Sequence, residues 1–103
     1  ATWCPDCRET LKRKLPILKQ NNIDILAINT DVSDEKIKDY LKSESVEISA
    51  VSDRDKTFRK EFKIFSVPTA VLLKRNGEHF DVVKSFVGNE LKSIKEYFPG
   101  VEL

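Results

Sequence analysis

Apolar positions along the chain change period several times, and each change marks an element. From Pro5 to about Gln20 the spacing is helical: Leu11, Leu15 and Leu18 follow one another at intervals of four and three, which stacks them on one face. Pro16 falls inside this run. It has no N–H, and its ring clashes with the preceding turn, so it predicts a kink or break. Ile23 to Asn29 holds a short apolar run, the pattern of a buried strand. Ser33 then offers a helix N-cap, with Asp34 and Glu35 favourably placed in the first turn, and Ile37, Tyr40 and Leu41 form the apolar stripe. Ile48 to Val51 reads as a second short strand. Asp53 or Asp55 can cap a helix whose inner face is Phe58 and Phe62. Thr69 to Lys74 is strand-like, Asn76-Gly77 is a preferred pair for a tight hairpin turn, and Phe80 to Val87 is the return strand. Asn89 is placed to cap a last helix carrying Leu91, Ile94 and Phe98, which Pro99-Gly100 ends.

Strands that alternate with helices argue for an α/β sheet with helices on its faces. The 103 residues make one domain by length, with room for one modest core. Hydrophobic residues make up 40% and charged ones 34%, a globular rather than disordered balance. The net charge near +1 gives no reason to propose nucleic acid or an anionic membrane as partner. The densest basic cluster, Lys12-Arg13-Lys14, reads as a solvated helix face. No apolar run approaches the roughly 18 residues needed to cross a bilayer. The chain opens on Ala1-Thr2-Trp3-Cys4 without an initiator Met; the expectation is that something upstream has been cut away.

Chemistry concentrates in Trp3-Cys4-Pro5-Asp6-Cys7, at the start of the first helix. Two cysteines three positions apart on a helical turn can close a small disulfide ring. The first thiol then lies at the helix N-terminus, where unpaired N–H groups and the helix dipole favour a thiolate. Pro5 suits the first turn because its missing N–H is not needed there, and Trp3 supplies an apolar platform beside the sulfur. Other uses of the pair fit less well. A structural zinc site needs about four ligands, but the chain has 2 cysteines and 1 histidine, His79, in the distant hairpin. A c-type haem site needs His after the second Cys, and Arg8 stands there. An iron–sulfur cluster needs more thiolates. A purely structural disulfide would join distant segments, because so small a ring constrains little of the unfolded chain. The pattern therefore reads as a redox dithiol.

Ala1-Thr2-Trp3-Cys4-Pro5-Asp6-Cys7-Arg8, followed far downstream by Ser66-Val67-Pro68-Thr69, resembles the thioredoxin superfamily. The resemblance runs along the whole chain, with Asn76-Gly77 and Gly88 also in place. It implies a thioredoxin-like fold over residues 1–103, a central mixed sheet flanked by helices. It also implies a cis peptide at Val67-Pro68 facing the dithiol. Pro68 lies 64 positions after Cys4, more than in plain thioredoxins, with room for an extra strand–helix unit. That is similar to the TlpA/ResA-like branch of exported or membrane-tethered thiol reductases. Asp31 matches that branch's pattern and equally fits a loop or capping Asp.

Two departures stand out. The branch usually has Glu six positions after the first Cys and Pro two further on; Thr10 and Lys12 occupy those places, and Glu9 should point to another side of the helix. The helix-borne acid–base role is therefore not carried over. The family's dithiol also follows directly on a central strand, and nothing precedes Ala1. The sheet should then have a gap between its halves, from N-terminal trimming or because a partner chain supplies the strand.

The resemblance implies that Cys4 attacks a protein disulfide and Cys7 resolves the mixed disulfide. Trp3, Val67 and Pro68 would hold the substrate, and a thiol donor would restore the dithiol. No cofactor or metal is implied, and the chain should act as a monomer. Pro5 and Asp6 would tune the pair. A carboxylate at Asp6 disfavours a thiolate on Cys4, which points to a reductant rather than an oxidase. Asp6 would also stabilise the helix N-terminus by roughly 0.3–1 kcal/mol. Two other classes stay open at this stage: a module binding copper or zinc through Cys4 and Cys7, and an interaction domain that keeps the fold without turnover. The compartment is undetermined, with export or membrane tethering favoured by the branch.

Overall fold

The chain opens with a helical run that is wider in its middle than an α-helix. In the computed structural model, which describes residues 1–103, α1 (Pro5–Glu9) passes through a π-helical segment (Thr10–Lys14) into α2 (Leu15–Gln20). Of the kink or break expected at Pro16, the break does not occur; the helix is distorted and continues. Pro16 sits in the first turn of α2, and the turn before it is wound wide, with Leu15 N–H bonded to Thr10 O, five residues back. A π-turn moves the preceding carbonyls off the pyrrolidine ring, so the helix passes the proline without ending. It stops at Asn22, which takes a left-handed φ of 61°, while Ile23 N–H returns to Leu18 O at 3.1 Å. Ile23 and Ile25 pack against the core from this connection, so β1 (Leu26–Asn29) starts later than expected.

β1 pairs in parallel with β2 (Ser49–Ser52), Ala27 opposite Ala50. α3 (Asp34–Ser43) makes the crossover a parallel pair needs. Ser33 caps it as expected, its Oγ accepting Lys36 N–H at 3.3 Å, and Ile37 and Leu41 are the buried stripe. Asp34 accepts Ser52 N–H at 2.7 Å, and the Ser52 hydroxyl donates to Val32 O, which ties the start of α3 to the end of β2. α4 (Thr57–Glu61) has Lys56 at its N-cap position, left-handed with φ 58° and without a side-chain cap bond, and Asp53 rather than Asp55 takes its first-turn N–H groups. Asp53 Oδ1 accepts Phe58 N–H at 3.0 Å; Oδ2 accepts Arg59 N–H at 3.1 Å and Arg59 Nε at 3.0 Å. Phe58 and Phe62 stack with centroids 6.4 Å apart.

β3 (Thr69–Asn76) and β4 (His79–Val87) form the antiparallel hairpin, with Thr69 opposite Val87 and Asn76 opposite His79. The two central turn residues are thus Gly77 and Glu78, one position later than the Asn76-Gly77 reading. Gly77 has φ 65°, which a type II′ turn requires at its first central position. The register shifts after Leu72 and leaves Val83 as the extra residue of a bulge. The closing element (Gly88–Glu96) is a 3₁₀ helix, not an α-helix. Asn89 does not cap it: Asn89 Oδ1 accepts from Lys14 Nζ at 3.4 Å, and Glu90 Oε2 takes the Val87 N–H at 3.4 Å.

The strands form two separate pairs, β1–β2 and β3–β4. No strand joins β1 to β3, which is the gap expected from the sequence, and Leu26 on β1 is left 55% exposed. The core lies on the hairpin side. Leu18, Phe86, Leu91, Ile94 and Val101 are buried together, with Leu15, Ala70, Leu72 and Phe98 packed on them. No buried side-chain polar atom lacks a partner.

Phe86 is 2% exposed at the centre of this cluster, so Phe86→Ala should lower unfolding free energy by about 3–5 kcal/mol in a urea titration. Burial pushes the Asp53 carboxyl up, but the N–H groups of Phe58 and Arg59 and the Arg59 guanidinium outweigh it and hold the carboxyl below its ordinary 3.8. A depressed carboxyl stabilises the fold above its unfolded value, and that stability is lost as pH falls through the folded one. Asp53→Asn should therefore flatten the fall of the urea midpoint below about pH 4 relative to the parent protein.

Candidate functional site

α1 begins with a sulfur cap. Cys4 has an extended backbone (φ −95°, ψ 112°), and its Sγ accepts the Cys7 N–H at 3.2 Å. This is the position where Ser, Thr, Asn or Asp oxygens usually satisfy a free helix N–H. Cys4 O takes the first intrahelical bond, from Arg8 N–H at 3.1 Å. Pro5 occupies the first turn and Asp6 is exposed in it. Both thiols are free and each is 6% exposed. Burial pushes the Cys7 thiol up to about 11, and its hydrogen bond to Cys4 adds to the shift.

The second segment of the expected site meets the first. Val67 O lies 4.0 Å from Cys4 Sγ, and the Val67–Pro68 peptide is cis. Pro68 is held from behind by its carbonyl, which accepts Gly88 N–H at 2.8 Å. Trp3 is 70% exposed beside this opening. A surface cavity of about 640 Å³ runs from Cys4 between Trp3, Pro5, Arg8, Lys12 and Arg13. Phe65, two residues before Val67, is 92% exposed. Sequence reading passed over it, because an aromatic in an apolar stretch reads as core.

The positions that depart from the TlpA/ResA-like pattern are occupied otherwise. Thr10 Oγ1 donates back to Asp6 O at 2.9 Å. Lys12 Nζ and Arg8 Nε share one carboxylate oxygen, Glu44 Oε2, at 3.2 and 3.1 Å. The Lys12 hydrogen bond first, and the Arg8 contact after it, hold Glu44 below its ordinary value against a smaller push from burial. Glu9 pairs with Arg13 at 3.6 Å, both largely exposed, and both also line the cavity that runs from Cys4.

A further network lies on the other flank. Thr2 N–H donates to Asp31 Oδ1 and Oδ2 at 3.1 and 3.2 Å, and the Thr2 hydroxyl to Oδ2 at 2.6 Å. Asn29, 5% exposed, donates from Nδ2 to Asp31 Oδ1 at 2.9 Å. Its own Oδ1 accepts Asp31 N–H at 3.1 Å and Val32 N–H at 2.8 Å. Burial raises the Asp31 carboxyl, but the two Thr2 bonds and Asn29 outweigh this and leave it below its ordinary value. Thr2 was not singled out in the sequence; its partner lies 29 positions away. No group of three or more His, Cys, Asp or Glu side chains converges as a metal site would need, and no helix is long and apolar enough to cross a membrane.

Curated relatives are named for thiol–disulfide chemistry. The chain is 23% identical over 100 residues to the thiol-disulfide oxidoreductase ResA of Bacillus thuringiensis subsp. konkukian (strain 97-27), covering 93% of this chain and 56% of that protein. It is 25% identical over 96 residues to ResA of Bacillus subtilis (strain 168), covering 90% and 52%. It is 24% identical over 83 residues to the sporulation thiol-disulfide oxidoreductase A of the same organism, covering 75% and 50%. The chain thus spans about half the length of these relatives. A family model described as thioredoxin-like matches residues 1–79, which include both the Cys4–Cys7 and the Val67–Pro68 segments. With that match and the α/β architecture that juxtaposes the two segments, the chain belongs to the thioredoxin-like family.

Proposed function

We propose that the protein is a thiol-disulfide oxidoreductase that reduces protein disulfides through Cys4 and Cys7. The observation that carries this reading is the placement of Cys4 Sγ on a helix N-terminus, 3.2 Å from Cys7 N and 4.0 Å from Val67 O. The dipole and the N–H bond favour negative charge on that sulfur. Val67 and Pro68 border it on the substrate side, with Trp3 and Phe65 as exposed apolar contacts.

The Cys4 thiolate attacks one sulfur of the substrate disulfide. A Cys4–substrate bond forms, the substrate S–S bond breaks, and the departing thiolate takes a proton. Cys7 then loses its proton and attacks Cys4 Sγ, which releases the second substrate thiol. Two electrons and two protons pass to the substrate, and Cys4–Cys7 becomes a disulfide that a thiol donor must reduce. Cys7, with its proton affinity raised by burial, stays neutral at physiological pH, which leaves Cys4 as the attacking group. Asp6 adds a carboxylate to the same turn, disfavours the thiolate and weights the pair toward reduction.

An equilibrium titration against glutathione or dithiothreitol, read by Trp3 fluorescence and thiol alkylation, tests the reading. A two-electron transition near about −270 mV is expected; a potential of about −120 to −180 mV would make the protein an oxidant or isomerase. No transition at all would return the dithiol to a metal-binding or purely structural role. Asp6→His should raise the potential by removing the carboxylate beside Cys4. Cys7→Ser should trap a covalent substrate adduct on Cys4, visible by non-reducing mass spectrometry; a trap on the Cys4→Ser variant instead would reverse the two roles. In single turnover, release of the second thiol should accelerate about tenfold per pH unit between pH 7 and 10, because resolution needs the Cys7 thiolate. Phe65→Ala should raise KM for a disulfide peptide while kcat is retained.

A further inference from the structure

The short turn that presents Trp3 and Cys4 is anchored by a carboxylate from the other half of the molecule. Within the turn, Cys4 N–H bonds Ala1 O at 3.3 Å, which leaves Thr2 and Trp3 as its central residues. Thr2 gives its N–H and its hydroxyl to Asp31. Asp31 lies just past the end of β1 and is itself fixed by the buried Asn29 side chain, which grips both the carboxylate and the Asp31 and Val32 N–H groups. An Asp serving only its own loop would spend its oxygens on neighbouring N–H groups. Here Asn29 serves those local groups, and Asp31 directs both oxygens at a residue two before the nucleophile.

We infer that Asp31 is a positioning residue. Its carboxylate, oriented by Asn29, fixes Thr2 and so sets the turn that holds Trp3 outward and Cys4 at the cap of α1, facing Val67. This rests on the reading of Cys4 as the attacking sulfur, but the geometric part stands apart from turnover. Trp3, the only tryptophan, follows Thr2 directly and reports on the turn by fluorescence.

The test uses the reduced protein with Asp31→Ala, Asp31→Asn and Thr2→Val. Asp31→Ala removes every bond to Thr2. Thr2→Val removes only the hydroxyl bond and keeps the branched shape. Asp31→Asn keeps an acceptor oxygen. Trp3 anisotropy should fall in Asp31→Ala, fall less in Thr2→Val, and return most of the way in Asp31→Asn. Disulfide reduction, corrected for folded fraction by the urea midpoint, should drop about tenfold in kcat/KM for Asp31→Ala, with the same order among variants. Unchanged anisotropy in both Asp31→Ala and Thr2→Val would overturn the inference, as would an activity loss that merely tracks folded fraction. Failure of Asp31→Asn to restore anisotropy would also overturn it. If the parent protein shows no turnover but anisotropy responds in this order, the clamp stands and the oxidoreductase reading falls. Should Asp31→Ala not fold, the Thr2→Val and Asp31→Asn pair decides the matter alone.

Discussion

A helix N-terminus capped by sulfur is the constraint on which the rest of the site depends. The first turn of any α-helix leaves N–H groups without partners. Here Pro5 removes one of them, and Cys4 Sγ answers another, that of Cys7. The cap thus joins the two cysteines through the backbone before any S–S bond exists. It places the Cys4 sulfur, the attacking group of the proposed reaction, where the aligned peptide dipoles favour negative charge. The same geometry makes the local fold and the reactivity inseparable: a residue that moves Cys4 off the cap also frays the start of α1.

Delivering Val67 to that sulfur falls to packing. β3 begins at Thr69, directly after Pro68, so whatever fixes β3 fixes the segment facing Cys4. Ala70 and Leu72 of β3 pack with Leu15 and Leu18 of the helical run, Phe86 of β4 and the closing 3₁₀ helix. On the other side Glu44, at the end of α3, holds Arg8 and Lys12 of the same run. Single exposed ion pairs contribute little, but one carboxylate shared by two cations on successive turns also sets the rotation of the helix about its axis. The helical run from 5 to 20 therefore links the two strand pairs, which share no strand, and the dithiol sits at its tip.

The sequence made the members of the candidate site more legible than the detail of the elements. Cys4 and Cys7 were readable because a three-residue spacing at a helix start leaves little else for thiols to do, and Val67–Pro68 because it opens a strongly patterned strand. Order and type of the strands followed from periodicity alone. Two misses share a cause: local rules were overridden by partners distant in sequence. Asn89 looked like a cap and was instead taken by Lys14, 75 positions away. The Asp31–Thr2 clamp spans 29 positions and leaves no periodic trace. Phe65 shows the converse, an apolar residue whose exposure no pattern announces.

The departures on the helix carry a consequence for how protons move in the proposed reaction. Thr10 has turned its hydroxyl to the backbone at Asp6, Lys12 is engaged by Glu44, and Glu9 is paired with Arg13. None of the three is hydrogen-bonded to either sulfur. Yet Cys7 must give up a proton that burial makes it hold up to about pH 11. The substrate thiolate released when Cys4 attacks has an ordinary proton affinity, about 8.5, and is a weaker base than the Cys7 thiolate. It therefore does not draw the Cys7 proton readily. In the proposed reaction that proton would pass to solvent, which is why the resolving step is expected to quicken as the pH rises.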